Sequence, residues 1–180
     1  MKKILFLICL MFMSVSAMAQ NIVYDQTTSN VRTVITNSML VSQTDEHEIV
    51  SLAMAGFETQ GIRRYALAAS IRADHKFSLP NHGKLYIYLN NGKMLTLEGT
   101  KGGESILQSV DVYEDKVDQL TTRYNYYTLP KKFVKNIKKA GIQRIEIDMD
   151  PQFESSVNSA QLGNLIVNGY NLLETTLKRK

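Results

Sequence analysis

Apolar side chains recur at every second position in several segments of this sequence. Between residues 63 and 73, one face would be apolar and the other would carry two arginines and a serine. The first face holds Tyr65, Leu67, Ala69, Ile71 and Ala73, and the second holds Arg64, Ser70 and Arg72. A period of two with one apolar face indicates an antiparallel strand that is buried on one side. Residues 32–41, 48–58, 109–113, 120–128 and 142–150 are further strand candidates.

Residues 84–97 read as a β-hairpin around Asn90, Asn91 and Gly92. A two-residue loop would place Leu85 opposite Glu98 and so mix apolar and charged side chains. A three-residue loop, with Gly92 at positive φ, pairs Leu85 with Leu97 and Ile87 with Leu95. We therefore predict the three-residue loop, which leaves Tyr86 and Tyr88 on the reverse face of the hairpin.

Two helices are predicted in the last third of the chain. Pro130 and Gly141 bracket a short helix, because proline favours a first turn and glycine a helix end. From about residue 156, apolar residues follow helical spacing. They are Leu162, Leu165, Ile166, Tyr170, Leu173 and Leu177. The predicted fold is α+β: a mostly antiparallel, curved sheet of seven or eight strands, with the short late helix and the long C-terminal helix packed on it.

The first nineteen residues have the pattern of a signal peptide. Lys2 and Lys3 precede an apolar run over residues 4–13, and Ala17 and Ala19 supply the small residues of a cleavage site before Gln20. The alternative is an uncleaved membrane anchor, but this run is shorter than the roughly 20 residues that a spanning helix needs. We expect export to the periplasm or cell exterior, a flexible lead-in over 20–30, a single globular domain over 31–180 and no transmembrane segment after cleavage.

The composition of the predicted mature chain limits how the chain can be stabilised and which partners its charge would attract. The one cysteine, Cys9, lies in the signal segment, so stability must come from burial and not from disulfides. Without Lys2 and Lys3, 19 basic side chains stand against 17 acidic ones, a net charge of +2. Such a balance gives no electrostatic argument for a nucleic acid partner.

Three segments resemble small secreted proteins of unknown function from Bacteroides-type bacteria. They are GKLYIYLNNGK at 83–93, YYTLPKKFVKNI at 126–137 and IQRIEI at 142–147, followed by a terminal helix. The resemblance covers about the second half of the chain. It implies an exported accessory or binding domain and carries over no functional residues.

Histidines beside carboxylates are the candidates for catalysis. His47 lies among Asp45, Glu46 and Glu48, and His75 follows Asp74. No spacing typical of a metal site joins them, so solvated loop residues are the simpler interpretation and neither a metal nor a cofactor is predicted. A metal-dependent or hydrolytic enzyme using His47 and His75 with these carboxylates stays open as an alternative.

Four tyrosines are the candidates for binding. Tyr86, Tyr88, Tyr124 and Tyr126 would share a sheet face suited to a protein or glycan partner, unless the terminal helix covers that face. The leading expectation is therefore an exported, non-catalytic binding or accessory domain. A carrier that holds an apolar ligand between the sheet and the C-terminal helix is the remaining alternative.

Overall fold

The computed structural model describes residues 20–43, 49–100, 103–104, 106–113, 116–150, 153–154 and 159–179. The predicted signal peptide lies outside these residues, as do His47 and its neighbouring carboxylates. The strands are β1 Ile22–Thr28, β2 Val31–Thr36, β3 Met39–Gln43, β4 Ile49–Thr59, β5 Ile62–Ala73, β6 Ser78–Leu79, β7 Lys84–Leu89, β8 Met94–Glu98, β9 Gly103–Glu104, β10 Ile106–Tyr113, β11 Lys116–Thr128, β12 Ile142–Ile147 and β13 Phe153–Glu154. The helices are α1 Lys131–Ala140 and α2 Ser159–Lys178.

The strands form three antiparallel sheets. The largest has seven strands in the order β1-β2-β4-β5-β11-β10, with β3 also paired to β4. A second sheet runs β13-β12-β7-β8, and β6 pairs with β9. The α+β class is confirmed, but the predicted single sheet of seven or eight strands is divided. The division occurs because the hairpin β7–β8 meets β11 through an isolated bridge between Gly99 and Tyr127, not through a continuous ladder.

One apolar core joins the two larger sheets and both helices. On the seven-stranded sheet it contains the inner face, which we define by Leu67, Ala69 and Ile71 of β5 and their partners on β4. The helix α2 packs on β4 and β2 at this face. All six apolar residues predicted for the buried side of α2 are buried. No helix within the described ranges is long and apolar enough to cross a membrane.

The hairpin register is confirmed. Leu85 pairs with Leu97, and Ile87 pairs with Leu95. The backbone N–H of Leu89 donates to the carbonyl of Lys93 across 2.8 Å, which encloses a three-residue loop. Gly92 has φ +78°, the left-handed conformation that glycine adopts without steric cost.

Two local predictions were wrong. The expected flexible lead-in is instead the edge strand β1, with a bidentate Arg32–Asp25 ion pair between β1 and β2. Its side chains after Ile22 are exposed, so the segment lacks the apolar alternation by which a strand is recognised. Residues 32–41 were expected to form one strand. They are divided between β2 and β3, and Asn37 and Ser38 belong to neither strand.

Candidate functional site

The four tyrosines that were predicted to share a face lie on two different sheets. Tyr86 and Tyr88 belong to β7 of the four-stranded sheet, whereas Tyr124 and Tyr126 belong to β11 of the seven-stranded sheet. Tyr86, Tyr88 and Tyr126 are half-buried, and Tyr124 is 61% exposed. The prediction of one tyrosine face was therefore wrong, because alternation fixes the direction of a side chain within a strand but not the sheet that the strand joins.

Tyr88 is part of a polar cluster on the four-stranded sheet. Its hydroxyl donates to Oε2 of Glu146 across 2.7 Å, and the guanidinium of Arg144 lies 4.0 Å from the centroid of its ring. Arg144 also forms an ion pair with Glu146. The hydrogen bond to Glu146 raises the pKa of Tyr88 by stabilising the neutral phenol. These three side chains satisfy one another and tie β7 to β12, which gives Tyr88 a structural role.

The histidines within the described residues stand in pairs with single carboxylates. Nδ1 of His75 lies 3.1 Å from Oδ1 of Asp74, and Nδ1 of His82 lies 3.4 Å from Oε1 of Glu98. Among the described residues, no group of three or more histidine, cysteine, aspartate or glutamate side chains is placed to hold a metal ion. The enzyme alternative also needs His47, which lies outside the part of the chain that the structure describes.

The outer face of the seven-stranded sheet, opposite α2, has a floor of small side chains between aromatic ones. The register of β4 and β5 places Ala53 beside Ala68 and Ala55 beside Ala66, all on this outer face. Tyr126 lies opposite Ala68 on the neighbouring strand. Phe57 approaches Tyr126 edge-on, with ring centroids 5.5 Å apart and planes at 80°. Small side chains between larger ones form a depression along the sheet.

Most of the exposed large apolar side chains gather on this outer face. The described residues include six of them, namely Val23, Tyr24, Leu40, Ile62, Met94 and Tyr124. Five lie on the outer face, as strand pairing or pocket lining shows, and only Met94 lies on the other large sheet. Exposed apolar residues scattered singly over a protein are ordinary, whereas five on one face of a sheet favour that face as an interaction surface.

Two pockets lie along the outer face and meet at Tyr126, which lines both. The first has a volume of about 470 Å³ and the second about 400 Å³. The first is lined by Val31, Phe57, Thr59, Gln60, Ile62, Arg64, Tyr65, Ala66, Thr100, Tyr126 and Thr128. The second is lined by Val23, Ile35, Thr36, Ser38, Ser51, Ala53, Ala68, Ala69, Ser70, Tyr124, Asn125 and Tyr126. Both volumes fall in the range of small-molecule sites.

The opposite face of the same sheet is filled by α2. A Cβ at Gly56 of β4 would lie 2.8 Å from Cδ1 of Leu177, and Gly169 of α2 is equally close to Met54. At these points the helix and the strand are in direct contact. The two pockets therefore lie on the other side of the sheet from the position expected for an apolar carrier.

Charge differs between the two faces. Two carboxylates, Asp25 and Glu58, lie on the inner side, where they pair with Arg32 and Arg63. On the outer face β5 carries Arg64 and Arg72, both exposed. Among the described side chains, the outer positions of β1 to β5 and of residues 121–128 include no carboxylate.

Tyr124 and Tyr126, which the sequence suggested for binding, lie on the outer face, and Phe57, Ile62 and Arg64 lie on it although they were not among the candidates. A usable signal was present, because alanine occupies the outward positions of two successive long strands. A solvated face would carry polar residues there, so small apolar residues indicate a surface that contacts another molecule. Comparison of the chain with protein-family models, curated proteins and solved structures finds no match in any of the three.

Proposed function

We propose that this chain is an exported binding domain and that it binds through the outer face of the seven-stranded sheet. The observation that carries the proposal is the coincidence of two features on that face. It holds five of the six exposed large apolar side chains of the described residues, and it holds the two adjoining pockets. The export part rests on the sequence of residues 1–19 and on the resemblance to secreted Bacteroides-type proteins.

The side chains of this face suit contact with an apolar partner. The floor around Ala55 and Ala66 is already well packed, since both are almost completely buried. Tyr124 and Tyr126 project from a strand in the interior of a sheet, so their rings lose little conformational freedom on contact. A rigid floor with aromatic walls requires little rearrangement when a ligand binds.

A neutral apolar dye tests whether this face binds. We expect the full mature chain to bind Nile red, with an increase in fluorescence that saturates. The double variant Tyr124→Ser with Ile62→Ser should weaken binding about tenfold or more, because each large apolar side chain in contact with a ligand contributes roughly 1.5 kcal/mol or more. Both positions are exposed, so the fold should be retained.

Met94→Ser is the matched control. Met94 is 50% exposed on the other large sheet, so this variant removes a comparable apolar side chain away from the proposed surface. It should bind Nile red as the wild type does. Thermal unfolding of all three proteins checks that they are folded. Equal binding by the double variant and the wild type, or no binding by the wild type, would contradict the proposal.

A further inference from the structure

We infer that the pocket beside Arg64 binds the anionic head of a single amphiphilic molecule, such as a fatty carboxylate, with its apolar tail along the outer face toward Tyr126. This inference rests on the proposed function and adds the chemical class of the ligand.

The pocket beside Arg64 is lined by apolar side chains and by side chains that donate hydrogen bonds. Phe57, Ile62 and Ala66 supply apolar surface. Arg64 lies between Ile62 and Ala66 on the same face of β5. Gln60 contributes an amide from the β4–β5 turn. Guanidinium and amide N–H groups donate hydrogen bonds, so this lining matches an acceptor such as a carboxylate.

Arg64 is free to pair with an incoming anion. It is exposed, and within the described part of the chain it forms no ion pair. The neighbouring Arg63 points to the inner side and is bound to Glu58 at 3.1 Å. Among the described outer positions, no carboxylate competes with a ligand for Arg64.

The shape of the site favours a chain-like tail over a compact ligand. Tyr126 lines both pockets, which places them next to each other along the sheet. Ala66 lines the first pocket, and Ala53 and Ala68 line the second. A flexible alkyl chain can follow such a floor while its charged end stays beside Arg64.

Calorimetric titration with decanoate and with the neutral decanamide tests the inference. We expect the wild type to bind decanoate about tenfold more tightly than decanamide, which is the preference expected of one charge-assisted hydrogen bond. The preference should shrink as salt is added, because Arg64 is exposed to screening. Arg64→Gln should abolish the preference for decanoate by weakening decanoate binding about tenfold.

Arg72→Gln is the matched control for charge. Arg72 lies on the same face of the same strand, about 26 Å from Arg64 at the usual rise per residue, and it lines neither pocket. Arg72→Gln should therefore keep the preference for decanoate. A loss of preference in both variants would show a diffuse charge effect and overturn the inference.

Other outcomes overturn the inference without touching the proposed function. If the wild type binds Nile red but binds decanoate and decanamide equally, or neither of them, the face binds and the assigned ligand class is wrong. If the protein binds phosphatidylglycerol vesicles but not monomeric decanoate, the surface meets a membrane and not a single amphiphile. If Nile red also fails to bind, the proposed function itself is wrong, and the inferred ligand class is wrong with it.

Discussion

Gly169 of α2 lies directly against Met54 of β4, so a Cβ at position 169 would lie 2.5 Å from Cγ and 2.9 Å from Cβ of Met54. Met54 is completely buried in the middle of a long strand, and Oε1 of Gln20 also contacts this position. Overpacking should cost about 1–3 kcal/mol, and the roughly 1 kcal/mol by which alanine favours a helix offsets part of that cost. We predict that Gly169→Ala has a net destabilising effect of up to about 2 kcal/mol. Urea unfolding measures the change.

Gly163 in the same helix is the control for that substitution. Among the described residues beyond its chain neighbours and the backbone of its own helix, no atom lies within 4 Å of a Cβ at this position. Gly163→Ala should therefore raise the free energy of unfolding by about 0.5–1 kcal/mol, since only helix propensity changes. Equal effects of the two substitutions would mean that α2 does not pack closely on β4.

Burial of an unpaired charge under α2 should lower the free energy of unfolding far more than Gly169→Ala does. Leu173 is completely buried, and its Cβ lies near Gly56 of β4. Leu173→Asp should lower the free energy of unfolding by about 3–5 kcal/mol, because a carboxylate there has no water and no described partner. Asn171→Asp introduces the same charge at an exposed position of α2 and should change stability little. If Leu173→Asp melts within a degree or two of the wild type, α2 is not part of the core.

Local periodicity predicted the parts of this fold that depend on neighbouring residues. The inward face of β5, the partners of Leu85 and Ile87, and the buried side of α2 were correct because each depends on spacing within one element or one hairpin. These features need no knowledge of the rest of the chain. Their periods of two and of about three and a half are visible in the sequence itself.

The choice of sheet was not predictable in the same way. Tyr88 and Tyr126 follow the same alternation, yet they belong to different sheets. After β8 the chain meets β11 through the isolated bridge between Gly99 and Tyr127 and a hydrogen bond from the N–H of Thr100 to the carbonyl of Tyr126, not through a continuous ladder. A Cβ at Gly99 would lie 2.8 Å from Nδ2 of Asn125 and 3.2 Å from Cε1 of Tyr127, so the chain meets β11 at a crowded point that favours glycine. That contact joins residues far apart in the sequence, and no local pattern predicts it.

Alkaline pH should destabilise the domain through Tyr127. Burial raises the pKa of Tyr127 to about 12, whereas an unfolded tyrosine has a pKa of about 10. Between these values the folded state holds the proton and the unfolded state has lost it, so stability present below pH 10 is lost as the pH rises toward 12. The loss from this group should reach about 2–3 kcal/mol at pH 12.

Tyr127→Phe should make the fall in unfolding free energy between pH 10 and 12 shallower, since it removes this titration. Urea unfolding at several pH values measures the slope. A Tyr127→Phe variant with the wild-type slope would show that the phenol titrates alike in both states.

Export should be visible at the N-terminus of the protein isolated from its native cells. We expect mass spectrometry to find Gln20, as glutamine or in its cyclised form, as the first residue of the chain. Replacement of Ala17 and Ala19 by arginine should block this cleavage and raise the mass by that of the retained segment. Recovery of native protein with residues 1–19 intact would contradict the signal assignment.

The inner face of the large sheet is covered by a helix that arises far along the chain. The guanidinium of Arg32 donates to the carbonyl of Arg179 across 3.0 Å, and 147 positions separate the two residues. A chain synthesised from its N-terminus therefore exposes β2 and β4 without their apolar cover until α2 has been made. The core is therefore complete only after α2 has been synthesised and has packed on β4 and β2.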